Sequence, residues 1–179
     1  GGPKRRVWRK IHMGIDKETL EIRAVEITGS HIGDVPVLPD LLKQISAHEQ
    51  IGSVTADGAY DTRKCHDAIA DRGAHAVIPP RKNAKPWKTV TAGAVARNEA
   101  LRASKYLGRA LWRRWSGYHR RSRVETKMHC VKLLGRCLMA QGLRPTGRRA
   151  SGPDSRSERL HRARHPCHRG REISISGEK

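Results

Sequence analysis

Four residues, Tyr118, Arg121, Glu125 and Lys132, are spaced as Tyr-x2-Arg-x3-Glu-x6-Lys in a stretch made mostly of good helix formers. At about 100° per residue, a continuous helix would project all four within a sector of about 60°. One carboxylate, two cations and a phenol on one stripe suit a site that holds a hard metal ion and grips phosphates on either side of it. Val124, Met128 and Val131 fall on a neighbouring stripe, so the same helix can dock on a core and still present the polar residues. A plainer account is an intrahelical Arg121–Glu125 pair at i, i+4, worth about 0.2–0.5 kcal/mol, with Tyr118 and Lys132 unrelated to it. A second carboxylate favours the chemical account. Asp57 follows the apolar run Ile51–Ala56 and precedes Gly58, which sets it where a strand gives way to a loop. That end of an α/β sheet is where ligands and catalytic groups are presented.

The elements that must position these groups can be read along the chain. Residues 6–15 and 20–28 carry the β-branched content of strands, with Asp16–Thr19 as a hairpin turn. Asp34 reads as an N-cap of a short helix whose apolar residues Val37, Leu38, Leu41, Leu42 and Ile45 recur at helical spacing. A buried strand over 51–56 follows, then a helix over 61–72 with Asp61 as its N-cap and Gly73 as its stop, then a strand over 75–78. Pro79–Lys88 holds three prolines and four basic residues around Trp87 and predicts an exposed loop, whose Trp87 either touches a polyanion or packs back on the body. From Ala94 to Ala140 the pattern is helical with breaks near 115–117. The order two strands, helix, strand, helix, strand predicts an α/β mixed sheet with crossover helices.

The charge balance names a class of partner. Lys and Arg number 37 against 17 Asp and Glu, a formal net charge of +20 over 179 residues, and residues 97–132 alone carry eleven basic and two acidic groups. Such a surplus favours nucleic acid, although a solvated helix face is the ordinary explanation of a charge run. Cys65, Cys130, Cys137 and Cys167 form no Cys-x-x-Cys pair, which fits reduced thiols in a cytoplasmic protein better than a structural zinc site. No apolar run approaches the length needed to span a bilayer. From Gln141 onward Arg, Ser, Gly, Pro and His dominate, and residues 141–179 are expected to be a disordered basic tail behind a domain of residues 1–140.

The segment Thr55-Ala56-Asp57-Gly58-Ala59-Tyr60-Asp61, followed by Tyr118, Arg121, Glu125 and Lys132 at their spacing, resembles the DDE-type bacterial insertion-sequence transposases that carry a Tyr-Arg-Glu-Lys signature. The likeness runs from about Arg5 to about Ala140 and includes Trp8-Arg9-Lys10-Ile11-His12. It implies an RNase H-like α/β fold, a mixed sheet flanked by helices, in which three acids hold two divalent ions, Mg2+ or Mn2+. It also implies metal-dependent cleavage and strand transfer on double-stranded DNA at transposon ends and target, and a homodimer in intact members, nucleoid-associated in the cytoplasm. By motif position Asp57 matches the second acid and Glu125 the third, the two being the catalytic and metal-ligating candidates. Arg121 and Lys132 would contact phosphates, Tyr118 would line the cleft, and Arg81, Lys82 and Trp87 would add DNA contacts from their loop.

Two departures qualify what the resemblance implies. The family's first acid lies on a strand just ahead of the segment like Arg6–Ile15, and Gly1 stands there in this sequence; the first strand and first acid are expected to be missing, with Asp16, in the hairpin turn, no substitute. The family continues with apolar helix where this chain turns polar, so loss of the reading frame near Arg136–Gln141 is expected, with the His161, His165, Cys167, His168 cluster as its by-product. A chain with two acids of three should be catalytically impaired. The competing functions are a non-catalytic basic nucleic-acid-binding protein, in which Asp57 and Glu125 are structural, and an RNase H-like nuclease that hydrolyses without joining.

Overall fold

A computed structural model describes residues 8–133 and 171–178, with residue 178 as backbone only. Strands β1 (Arg9–Asp16) and β2 (Ile22–Gly29) form an antiparallel hairpin. Its turn is tied by the Asp16 carboxylate, which accepts from the amides of Glu18 at 2.8 Å and Thr19 at 3.2 Å. A 3-10 turn, Val35–Val37, leads into α1 (Leu38–Gln44), with prolines in the first positions of each, where a missing N–H costs nothing. Then come β3 (Ile51–Thr55), a 3-10 turn Gly58–Tyr60, α2 (Arg63–Asp71) and β4 (His75–Val77). Gly73, at φ 65°, ends α2 in the left-handed conformation that glycine takes without a Cβ penalty. After the proline-rich loop, α3 (Ala92–Leu107) starts at Thr91, whose hydroxyl accepts from the Ala94 amide at 3.2 Å. Helix α4 (Arg109–Trp115), a 3-10 turn Tyr118–Arg121 and α5 (Ser122–Leu133) follow. The last element is β5 (Arg171–Glu178).

The five strands form one mixed sheet in the order β2-β1-β5-β3-β4. β5 lies at its centre, antiparallel to β1 and parallel to β3, with Met13 opposite Ser176, Ile15 opposite Ser174 and Thr55 opposite Ser174. The period of two along β5 sends Ile173 and Ile175 to the face covered by α1 and α2, where they join Val54, Leu38, Leu41, Tyr60 and Ile69 in the main core. Ser174 and Ser176 fall on the opposite face with Met13 and Ile15, which pack under Val124 and Met128 of α5. Fully burying one isoleucine is worth about 1.5–3 kcal/mol, so Ile173 and Ile175 are a substantial reason for β5 to seat there.

Of the structureless tail expected over 141–179, residues 141–170 lie outside the described residues, and the expectation is corrected for 171–178. This segment is the central strand of the sheet, because Ile-Ser-Ile-Ser alternation meets two unpaired strand edges. The sheet expected to lack a strand has five, with the chain's own C-terminal segment filling the place between β1 and β3. The supposed frame loss near Arg136–Gln141 and the His161–His168 cluster lie outside the described residues.

Candidate active site

Asp57 is the second residue beyond β3, after Ala56, and is held by its own turn. Its Oδ1 accepts from the Ala59 amide at 2.8 Å, capping the 3-10 turn, which leaves Oδ2 to face the turn just before α5. There it meets Arg121: Nη2 lies 3.5 Å from Asp57 Oδ2, while Nη1 donates to Glu125 Oε1 at 2.6 Å. Two carboxylates 68 positions apart in sequence thus share one guanidinium. Arg121 is mostly buried, whereas Glu125 is 55% exposed.

The helical stripe read from the sequence is realised in two pieces. Tyr118 and Arg121 belong to the 3-10 turn that follows Gly117, at φ 71°, and only Glu125 and Lys132 belong to α5. The break that a single wheel ignores is compensated by Val124 and Met128, which dock α5 on Met13 and Ile15 and bring Glu125 beside Ser176 and Gly177 of β5. Tyr118 packs against Trp112, ring centroids 6.4 Å apart, and under the Arg113 guanidinium at 5.6 Å. Burial pushes its phenol above the ordinary range; the Asp57 and Glu125 charges push the same way, against Arg121 and Arg113.

A cleft of about 380 Å³ opens beside this pair, lined by Arg121, Glu125, His129, Lys132, Ser176 and Gly177. Three of these were not singled out in the sequence. His129 stands one turn after Glu125, and that spacing could have found it; Ser176 and Gly177 come from β5, whose position no local signal gives.

The proline-rich loop carries the other candidates. Arg81 and Lys82 are exposed, and the Arg81 amide donates to Asp61 Oδ2 at 3.2 Å. Trp87 lies against the body: its amide donates to Asn98 Oδ1 at 2.8 Å, its carbonyl accepts from Asn98 Nδ2 at 2.7 Å, and the Arg97 guanidinium stacks 4.2 Å from its ring. Of the two readings of Trp87, the packed one describes its position.

Asp61, expected to cap a helix, does something else. Thr62 holds the N-cap position of α2, and Asp61, 2% exposed, pairs with Arg97 through Nε at 3.1 Å and Nη2 at 3.2 Å, and with His66 Nε2 at 3.3 Å. Burial alone would raise its carboxyl, but the bonds from His66, Arg97 and the Arg81 amide outweigh that and hold it well below the usual carboxylate range. Arg97, counted in the sequence among the eleven basic residues of 97–132, is thus a buried structural cation.

A two-ion centre needs several hard, anionic oxygens around each ion. Among the described residues there is no group of three or more His, Cys, Asp and Glu placed to hold a metal, and Asp57 and Glu125 are the two carboxylates at this guanidinium. With Arg121 and Lys132 the cluster carries two negative and two positive charges. This donor set does not fit the divalent centre that the resemblance implies.

No described helix is long and apolar enough to cross a membrane. Residues 1–139 match the family model described as transposase DDE domain. No solved structure matches the chain.

Proposed function

The chain belongs to the transposase DDE family, and from that membership we propose that its cleft grips the phosphate backbone of double-stranded DNA without the ligand set to cut it. The family consists of DNA transposases, enzymes of metal-dependent phosphoryl transfer. In this chain the observation that carries the reading is Arg121, seated between Asp57 and Glu125 where a cation would be shared. A guanidinium held at two carboxylates keeps its fork aimed and its charge partly neutralised, which orients it for a phosphate at the cleft mouth. Lys132 adds a second positive charge along the same wall, and Arg81 and Lys82 extend the basic surface on the loop beyond Asp61. Tyr118 lies close enough to Arg121 and Asp57 to feel both charges. The DNA we envisage is a transposon end or its target, held by a homodimer as the resemblance implies.

Electrophoretic shift with a DNA duplex, over a range of salt, tests this. Wild-type binding is expected to be equal in Mg2+ and in chelator, and Lys132→Gln should flatten the slope of log affinity against log salt by about 0.9, one released counterion. Arg121→Gln should weaken binding more than Lys132→Gln, because it also leaves Asp57 and Glu125 uncompensated. Single-strand nicking in Mn2+ that Glu125→Gln abolishes would overturn the proposal.

A further inference from the structure

We infer that Ser176 sets the preference of this cleft for anions over divalent cations, because β5 delivers a hydroxyl to the one position where a third oxygen ligand would stand beside Asp57 and Glu125. The inference rests on the proposed reading of the cleft as a phosphate grip. Its basis is register. Thr55 and Ser174 are partners in the parallel β3–β5 pair, so two residues further on Asp57 comes level with Ser176. Side chains at i and i+2 share a face, and that face is the one covered by α5, since Ser176 also pairs with Met13, which packs under Met128. Ser176 then lines the cleft with Glu125, Arg121, His129 and Lys132.

Three acids from three elements, β3, α5 and β5, would surround a hard cation with enough anionic oxygen to displace water. Two acids and a serine do not, and the guanidinium takes the cation's place. Ser176 is 7% exposed, with its neighbour Gly177 packed so tightly that a Cβ there would lie 2.6 Å from His12 Nδ1. The strand is therefore fixed in register, and a side chain introduced at 176 is committed to the cleft.

Mn2+ titration of the full chain, read by the paramagnetic resonance of the free ion, tests the assignment with no reaction required. Wild type should show no saturable site sensitive to Asp57→Asn. Ser176→Asp should bind Mn2+ at least about tenfold more tightly than wild type, and Asp57→Asn or Glu125→Gln added to it should abolish the gain. The same variant should bind duplex more weakly than wild type in chelator and recover when Mn2+ is added. Wild-type Mn2+ binding lost in Asp57→Asn would overturn the inference, as would Ser176→Asp that keeps its far-ultraviolet dichroism and gains nothing. If Ser176→Asp does not fold, the near-isosteric Ser176→Cys is titrated with Cd2+ by thiolate absorbance, against wild type as the blank for the native cysteines. A Cd2+ site lost in Asp57→Asn supports the placement, and no excess over wild type refutes it. Failure of the DNA reading looks different: duplex binding indifferent to Arg121→Gln and Lys132→Gln, whatever Mn2+ does.

Discussion

Replacing Asp61 by Asn removes one charge from the most buried ion pair in the described part of the molecule while leaving the side-chain shape unchanged. Asp61 and Arg97 are 2% and 3% exposed, so water screens neither. The carboxylate takes two bonds from the guanidinium at 3.1 and 3.2 Å, one from His66 and one from the Arg81 amide. In the variant Arg97 keeps its bond to the Lys85 carbonyl at 2.6 Å and its stack on Trp87, but its charge has no counterion. Breaking one side of a buried pair costs about 3–5 kcal/mol. Against the roughly 5–15 kcal/mol of an ordinary domain that is a large share. Arg97→Met added to Asp61→Asn removes the stranded charge, so the double variant should be more stable than Asp61→Asn alone.

Urea unfolding at neutral pH reads this as a lower midpoint at unchanged slope. The pH dependence supplies a second arm. The folded carboxyl is held below its ordinary value, so the unfolded chain takes up the proton first. The contribution is fully present above about pH 4, the unfolded value, and is lost as pH falls through the folded one. Asp61→Asn should therefore lose less stability on acidification than wild type. The Arg81 amide exchanges a charged acceptor for a neutral one, so duplex binding should weaken with the loop that carries Arg81 and Lys82. A cost of Asp61→Asn below about 1 kcal/mol, the scale of exposed pairs, or strict additivity with Arg97→Met, would refute the reasoning.

Three further outcomes are expected. Buried His12, with Nε2 2.9 Å from Thr28 Oγ1, is pushed below its usual pKa first by burial and then by Lys10, against Asp34; stability should fall as pH drops below about 6.5, and His12→Gln should flatten that dependence in urea midpoints between pH 8 and 5. Deleting residues 171–179 leaves β1 and β3 with unpaired edges and removes the burial of Ile173 and Ile175, about 3–6 kcal/mol together; a cooperative thermal transition at the wild-type temperature, followed by circular dichroism, would contradict the role given to β5. Gly93→Ala sets a Cβ 2.6 Å from the Asp67 amide nitrogen and 2.6 Å from the His66 carbonyl carbon, so α2 and α3 must part at a cost of about 1–3 kcal/mol, and an unchanged unfolding midpoint would show that the helices have slack.

Local signals made much of this fold legible. The hairpin, β3 before Asp57, α2 with its Gly73 stop and the proline-rich loop each follow from patterns within about ten residues. What escaped was long-range. β5 is an eight-residue strand whose partners lie far back in the sequence, and alternating Ile and Ser behind a polar stretch carries no mark of its destination. Asp61 failed differently: the sequence offers an acid at a helix start, and capping is the local answer, but Arg97 36 residues later offers a stronger bond in a drier place.

The four-residue signature shows how spacing can bring residues together through an incorrect intermediate: Arg121, Glu125 and Lys132 line one cleft, and Tyr118 is not among its lining residues. A single wheel takes one continuous helix; the chain instead breaks at Gly117 and tightens into a 3-10 turn before α5 begins. Arg121 and Glu125 still meet across that junction at 2.6 Å, since a 3-10 turn running directly into an α-helix preserves the sense and nearly the pitch of the winding. The larger rotation per residue of the 3-10 turn falls on Tyr118 to Arg121, and the guanidinium reaches Asp57 as well as Glu125. Local pairing and cross-sheet pairing are thus made by one side chain, and the intrahelical bond that seemed the plain alternative to a functional site is the contact that aims Arg121 at Asp57.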